Sequence, residues 1–199
     1  MIMRTDFNDF SFTVFIGGNL ADFRNAICDI YKDEIINDYF FIIDDNFSVQ
    51  DYVDIPLKKR QFGTFSFWKS SKYPFLIFFS SNYSDGRFTL CNVIHNKTGC
   101  AYVLCRMHNG KGDYMPGCMF HYVDENTQER HILAYKAPKW VFYQQGTPLP
   151  FEDTSLYNSR FIKKRLNTKI IITYLYKLGI DFKEIDTDIS DSFTCILNT

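Results

Sequence analysis

Two cysteine–histidine pairs have the spacing in this chain that comes nearest to a metal site. Cys105 and His108 are separated by two residues, as are Cys118 and His121, and nine residues lie between the pairs. Two thiolates and two imidazoles can hold zinc tetrahedrally. Residues three apart in a strand point to opposite faces, however, so each pair would have to lie in a turn. The sequence favours buried thiols beside surface histidines, with zinc as the alternative.

A cysteine nucleophile is a second chemistry that the residue types allow, because triad members need only be neighbours in space. The six cysteines have four histidines as possible partners, at His95, His108, His121 and His131. No local signature accompanies them, so a small Cys/His hydrolase is kept only as an alternative. Gly17-Gly18 before a helix can cradle a phosphate, but the pair is also typical of a strand-to-helix turn. We predict no enzymatic activity and no cofactor.

A basic run between residues 160 and 169 suggests contacts with phosphates. Its basic residues have two aromatic side chains nearby, Tyr157 and Phe161, a combination found in nucleic-acid-binding proteins. The run comprises Arg160, Lys163, Lys164, Arg165 and Lys169. The chain as a whole has a net charge of -1, which argues against nucleic acid as the main partner. A solvated face of an amphipathic helix explains the same run.

Charge is distributed unevenly along the chain, which suggests an interaction surface. Residues 1–55 contain 11 acidic and 3 basic side chains, whereas residues 56–180 contain 7 acidic and 18 basic ones. Alternatively, the acidic ends fold against the basic middle and neutralise it. The acidic residues that we expect to contact a partner lie in a segment predicted to be irregular and around a hairpin tip. They are Asp44, Asp45, Asp51, Asp54, Asp124, Glu125 and Glu129.

The elements that would position these residues belong to the α+β class. Strands are predicted between residues 61 and 143 and at 9–16, 39–43 and 193–197, with 39–43 expected to be buried. An amphipathic helix is predicted from Leu20 to Tyr31, capped by Asn19, and a shorter helix from Asp85 to Thr98. Further helices are predicted over 152–166 and 167–178. We expect a mixed, mostly antiparallel central sheet, with the N-terminal helix and the C-terminal helices packed on it.

The length of 199 residues predicts one domain spanning residues 1–199. Residues 1–10 carry Asp6 and Asp9 and lack a basic-then-apolar segment, so we expect no secretory signal and a cytoplasmic location. In that compartment the cysteines should be free thiols. The longest apolar run, residues 73–79, is too short to span a membrane, and we expect no membrane partner.

Several separated segments together resemble bacterial immunity proteins, which accompany polymorphic or contact-dependent growth-inhibition toxins. The likeness covers about residues 84–180. It rests on Leu90-Cys91-Asn92, Thr98-Gly99-Cys100, Tyr114-Met115-Pro116-Gly117, Glu129-Arg130-His131, Lys139-Trp140-Val141-Phe142-Tyr143, Gly146-Thr147-Pro148-Leu149-Pro150-Phe151-Glu152 and Tyr174-Leu175-Tyr176-Lys177-Leu178-Gly179.

The resemblance implies a cytoplasmic, non-catalytic protein that neutralises a cognate toxin by occluding its active or substrate-binding surface. If the toxin is a nuclease, its substrate groove is basic, and the acidic segments of this chain would bind it. An acidic surface with aromatic anchors suits such a groove, because opposite charges speed association and rings anchor interfaces. A nucleic-acid-binding protein that uses residues 160–169 is the alternative from another functional class.

Overall fold

The structure is a computed structural model that describes residues 10–44, 63–81, 83, 86–108, 110, 115–185 and 187–197. The chain clusters into two compact units. The terminal unit comprises residues 12–102 and 186–199, and the central unit comprises residues 1–11 and 103–185. Each unit combines strands with helices, so the predicted α+β class is confirmed, with strands predominating. A single domain over residues 1–199 stays a prediction.

The terminal unit is built on an antiparallel sheet. Its strands are β1 (Phe10–Ile16), most of which lies in this unit, β2 (Phe40–Ile43), β3 (Gly63–Ser70), β4 (Tyr73–Ser81) and β9 (Ile189–Leu197). They follow the order β2-β9-β3-β4-β1. Cys195 of β9 faces Ile42 of β2 on one side and Phe65 of β3 on the other. The last strand of the chain is therefore internal to this sheet.

Among the described residues of the terminal unit, three helices accompany the sheet: α1 (Leu20–Ile30), α2 (Lys32–Ile36) and α3 (Phe88–Thr98). The predicted cap of α1 is confirmed, because Asn19 Oδ1 accepts a hydrogen bond from the backbone N–H of Asp22 at 2.9 Å. Gly99 ends α3 in the left-handed region with φ of 69°, which a glycine adopts without strain.

Aromatic rings form the core of the terminal unit. Phe23 of α1 meets Phe15 and Phe67 of the sheet edge-to-face, with ring centroids 4.9 and 5.9 Å apart. Phe67 also packs on Phe79 at 4.7 Å and on Phe193 at 5.0 Å. All five rings are buried. Such pairs contribute beyond the surface area that they bury.

The described residues of the central unit form four strands: β5 (Ala101–His108), most of which lies in this unit, β6 (Gly117–Val123), β7 (Glu129–Lys136) and β8 (Trp140–Gln145). β5 lies beside β6, and β6, β7 and β8 pair antiparallel in chain order. The predicted hairpin between β6 and β7 is confirmed. Asp124 Oδ1 closes its turn by accepting hydrogen bonds from the backbone N–H groups of Asn126 and Gln128 at 2.9 and 2.8 Å.

The helix predicted over residues 152–166 is wrong as one continuous element. The chain forms a 3-10 helix (Thr154–Asn158), an extended link at Ser159 with φ −58° and ψ 136°, and the short helix α4 (Ile162–Arg165). Asp153 Oδ1 accepts a hydrogen bond from the backbone N–H of Ser155 at 3.1 Å and so caps the start of the 3-10 helix. The next helix, α5 (Thr168–Lys177), forms as predicted and is capped by Asn167.

One further expectation, about strand direction in the sheet, is not met. The strand pairs with assigned register are all antiparallel, so the parallel component of the expected mixed sheet is wrong for them. The strand predicted at residues 193–197 is confirmed as part of β9, which follows the C-terminal helices. Within the part of the chain that the structure describes, no helix is long and apolar enough to cross a membrane.

Candidate functional site

The four residues of the alternative zinc site lie on two strands of the central unit. Cys105 and His108 are three residues apart on β5, and Cys118 and His121 are three apart on β6. Side chains at that spacing leave opposite faces of a strand. Across the described ranges, no group of three or more His, Cys, Asp or Glu side chains is placed to hold a metal ion. The structure therefore does not bring these four side chains together.

The cysteines are unbridged thiols, four of them buried and Cys28 and Cys118 partly exposed. Burial raises the pKa of Cys105 and of Cys195 well above the ordinary value of a thiol. Burial also raises the pKa of Cys118, although a hydrogen bond from Thr168 opposes the shift. Because the thiolate is the nucleophilic form, these three residues are poor candidates for the hydrolase alternative.

A histidine pair lies across β6 and β7. His121 faces His131, with ring centroids 5.1 Å apart, and His121 Nε2 lies 3.3 Å from Glu129 Oε2. Burial lowers the pKa of both imidazoles, and Glu129 only partly opposes this effect. Burial thus favours the neutral form of both rings. This cluster is sensitive to protons rather than arranged around a nucleophile.

A buried ion pair in the central unit joins Arg130 to Glu152. Arg130 Nη2 lies 2.7 Å from Glu152 Oε2, and the two side chains are 2% and 0% exposed. Arg130 also donates to Gln144 Oε1 and to the carbonyl oxygens of Gln145 and Gly146. Every nitrogen of the guanidinium is thus hydrogen bonded, as a buried charge requires. The network attaches the segment that follows β8 to strand β7, so the role of this ion pair is structural.

The glycine pair at residues 17–18 does not form a phosphate cradle. A cavity of about 340 Å³ lies beside Gly18, but Asp22 and Asp29 line it. Its one lysine, Lys97, is 3.3 Å from Asp29 and so is already paired. Two carboxylates against one cation disfavour an anion. Gly18 instead allows close packing, because a Cβ there would come within 2.7 Å of the Cys100 thiol.

The acidic residues predicted to bind a partner have different environments. Asp44 is exposed, and a hydrogen bond from Arg24 lowers the pKa of its carboxyl group. Asp124 is committed to the turn of the β6–β7 hairpin, whereas Glu125 is exposed and Glu129 contacts His121. The remaining three, Asp45, Asp51 and Asp54, lie outside the described residues, as does most of the predicted irregular segment from Asp44 to Arg60.

An apolar surface that the sequence did not predict lies next to Asp44. The strand at 39–43 was expected to be buried, but burial is confirmed only for Phe40, which stacks on Tyr31 at 4.2 Å. Phe41 and Ile43, which alternate with Phe40, are 41% and 43% exposed. The cause is position: among the described residues, β2 pairs with β9 alone and forms an edge of its sheet.

The chain just before β2 adds two more exposed apolar side chains, Ile36 at 68% and Tyr39 at 59%. We call Ile36, Tyr39, Phe41, Ile43 and Asp44 the β2 edge surface. Its four apolar members expose roughly 400 Å² together, a patch size that is often functional in a monomer. The apolar run at 39–43 gave no sign of this exposure, because its sequence is also that of a buried strand.

The β2 edge surface has an acidic border. Residues 29–44 contain five acidic side chains and one basic side chain, Lys32. Asp33, Asp38 and Asp44 are exposed at its margins. An apolar centre with a polar rim is the usual anatomy of a protein–protein interface, and the sign of the rim selects the partner. This arrangement suits a basic protein surface.

No protein-family model, curated protein or solved structure matches this chain. What the chain does must therefore be inferred from its surfaces and not from relatives.

Proposed function

We propose that this chain is an immunity protein that binds a cognate bacterial toxin in the cytoplasm and blocks the toxin's active or substrate-binding surface. It performs no turnover of its own. The observation that carries the proposal is the β2 edge surface, in which exposed rings and branched side chains lie between exposed carboxylates. The resemblance of residues 84–180 to immunity proteins supports the same function from a different part of the chain.

The β2 edge surface has two elements that tight inhibitors use. Tyr39 and Phe41 are large, rigid side chains that lose little conformational entropy when they enter a pocket, so they suit the centre of an interface. Asp33, Asp38 and Asp44 would attract a basic groove and raise the association rate. A nuclease toxin presents such a groove, because it must bind a polyanion.

The proposal is tested by expressing this chain with the product of the neighbouring reading frame. We expect that product to be toxic alone, harmless when the two are expressed together, and to co-purify with this chain. In purified complexes, Phe41→Ala should weaken binding about 10-fold, as expected for truncation of an anchor worth about 1.4 kcal/mol. Asp44→Lys should act mainly on the association rate and flatten its salt dependence.

Phe75→Ala is the matched control, because Phe75 is a 77% exposed phenylalanine of the same unit on β4, outside the β2 edge surface. It should leave affinity unchanged. If the neighbouring product neither harms cells nor binds this chain, the immunity function is wrong. If it binds and Phe41→Ala behaves like Phe75→Ala, the function stands and the β2 edge surface is the wrong site.

A further inference from the structure

The central unit carries a surface of opposite charge. Between residues 130 and 180 there are nine basic and two acidic side chains. One of the acidic residues, Glu152, is buried against Arg130, so this pair adds no net charge to the surface. Eight basic side chains and Asp153 remain. Among the described residues, none of the basic side chains between residues 136 and 169 lies within ion-pair distance of a carboxylate.

Three of these cations lie over aromatic rings. Lys163 Nζ is 5.1 Å from the centre of the Trp140 ring, and Lys164 Nζ is 5.3 Å from that of Phe161. The guanidinium carbon of Arg165 is 5.3 Å from the centre of the Phe142 ring. The short helix α4 thus places its three consecutive basic residues against rings of β8 and of its N-cap residue, Phe161. Cations and rings are interleaved, and the cations have no anionic partner of their own.

Two side chains of the same region extend this surface. Phe161 is 60% exposed although it is a large apolar ring, and Lys139 is exposed in the turn between β7 and β8, directly before Trp140. Arg165 is held in place because its Nε donates to the carbonyl oxygen of Ser159 at 2.9 Å. The arrangement is therefore partly fixed before any ligand arrives, which lowers the cost of binding.

We propose that this surface binds single-stranded nucleic acid, with Lys139, Lys163 and Lys164 contacting phosphates and with Phe161 and Trp140 stacking on bases. Proteins that bind single strands without sequence preference combine these two features, a basic track and aromatic platforms. The expected affinity is that of non-specific binding, with a Kd of about 10⁻⁴ to 10⁻⁶ M at physiological salt. This activity is independent of the proposed immunity function.

The aromatic rings of this surface argue against duplex DNA and membranes as its partner. Duplex DNA keeps its bases stacked inside, so it offers phosphates but no ring faces to Phe161 and Trp140. An anionic membrane is bound by a longer amphipathic helix with an apolar face free to enter the lipid. Here α4 has four residues, and the apolar residues Ile171, Tyr174 and Leu175 of α5 are buried in the protein. A single strand offers phosphates to the basic side chains and unpaired bases to the rings.

The test measures fluorescence anisotropy of a labelled single-stranded oligonucleotide of about 20 nucleotides, a length that spans one to a few binding sites. The double variant Lys163→Gln/Lys164→Gln should bind about 25-fold more weakly at 0.1 M salt, because each phosphate contact adds about 0.7 to the salt exponent. For the same reason, its plot of log K against log salt should lose about 1.4 units of slope. Phe161→Ala should weaken binding without changing that slope, because it removes stacking and not charge.

Lys32→Gln/Lys97→Gln is the control, since it removes two exposed lysines of the terminal unit and changes the net charge equally. It should bind like the unaltered protein. The proposal is overturned if the oligonucleotide does not bind, if the control loses as much affinity as Lys163→Gln/Lys164→Gln, or if the duplex form binds as tightly. It is also overturned if only vesicles containing phosphatidylserine bind.

Discussion

Replacing Glu152 by alanine is expected to destabilise the central unit strongly, because it leaves a buried positive charge without its partner. Arg130 Nε lies 2.8 Å and 3.1 Å from the two carboxylate oxygens of Glu152, and Nη2 lies 2.7 Å from one of them. The carboxylate also accepts hydrogen bonds from the Leu149 N–H at 2.9 Å and the Tyr157 hydroxyl at 2.6 Å. Alanine removes the acceptor of all of these hydrogen bonds at once.

The magnitude follows from that geometry. Breaking a fully buried ion pair by removing one partner costs about 3–5 kcal/mol. Removing both charges costs much less, because the desolvation penalty of the remaining ion disappears with it. The double variant Arg130→Met/Glu152→Leu should therefore be more stable than Glu152→Ala alone, although it carries one more substitution. The two substitutions are expected to be strongly non-additive, as for any pair in direct contact.

Urea unfolding measures this effect in the unit where it arises. The chain has two tryptophans, Trp68 in the terminal unit and Trp140 in the central unit. In a Trp68→Phe background, Trp140 fluorescence reports on the central unit alone. With a slope of about 2 kcal/mol per molar urea, the expected loss moves the midpoint down by about 1.5–2.5 M. A shift below about 0.5 M, or a double variant as unstable as the sum of the single ones, would refute a structural role for the pair.

Two further predictions concern the central unit. The free energy of unfolding should fall as pH drops below about 6.5, the ordinary pKa of histidine. Burial lowers the pKa of His121 and His131 in the folded state, so the unfolded chain binds protons more readily than the folded one. His131→Phe should flatten this dependence between pH values of about 7.5 and 5.5, and an unchanged slope would contradict it. Gly146→Ala should cost more than the roughly 1 kcal/mol expected at an open left-handed position, because a Cβ at Gly146 would overlap the carbonyl oxygen of Glu129. Gly179→Ala is the matched control, with φ of 81° and open space around the new Cβ, and equal losses in thermal unfolding would refute the steric argument.

Sequence patterns located the elements better than they located the surfaces. The α1 cap at Asn19, the hairpin closed by Asp124 and the helix after Asn167 each depend on contacts within five residues, so local chemistry determines them. Exposure along β2 depends on strand order, which no local pattern contains. The insertion of β9 between β2 and β3 leaves Phe41 at an edge, although its sequence context is that of a buried strand.

The break in the helix at Ser159 is another feature that the local sequence pattern did not predict. The apolar spacing across residues 152–166 is helical, yet Glu152 is hydrogen bonded to Arg130, which lies 22 residues earlier. This long-range ion pair fixes the position of Glu152, and the local helical propensity of the segment is worth only a few tenths of a kcal/mol per residue by comparison. This pair could not be foreseen, since nothing in the spacing of Arg130 and Glu152 distinguishes them from surface charges.

The two proposed surfaces belong to different units and carry opposite charge, so salt alone cannot tell their partners apart. A basic toxin on the β2 edge surface and a nucleic acid on the α4 surface would both dissociate as ionic strength rises. Substitutions that change the charge of one surface at a time distinguish the two interactions. Asp44→Lys should weaken the first interaction and leave the second intact, whereas Lys163→Gln/Lys164→Gln should do the reverse. The acidic and basic segments would then have separate partners, and mutual neutralisation of the chain's ends and middle would not be needed to explain the charge asymmetry.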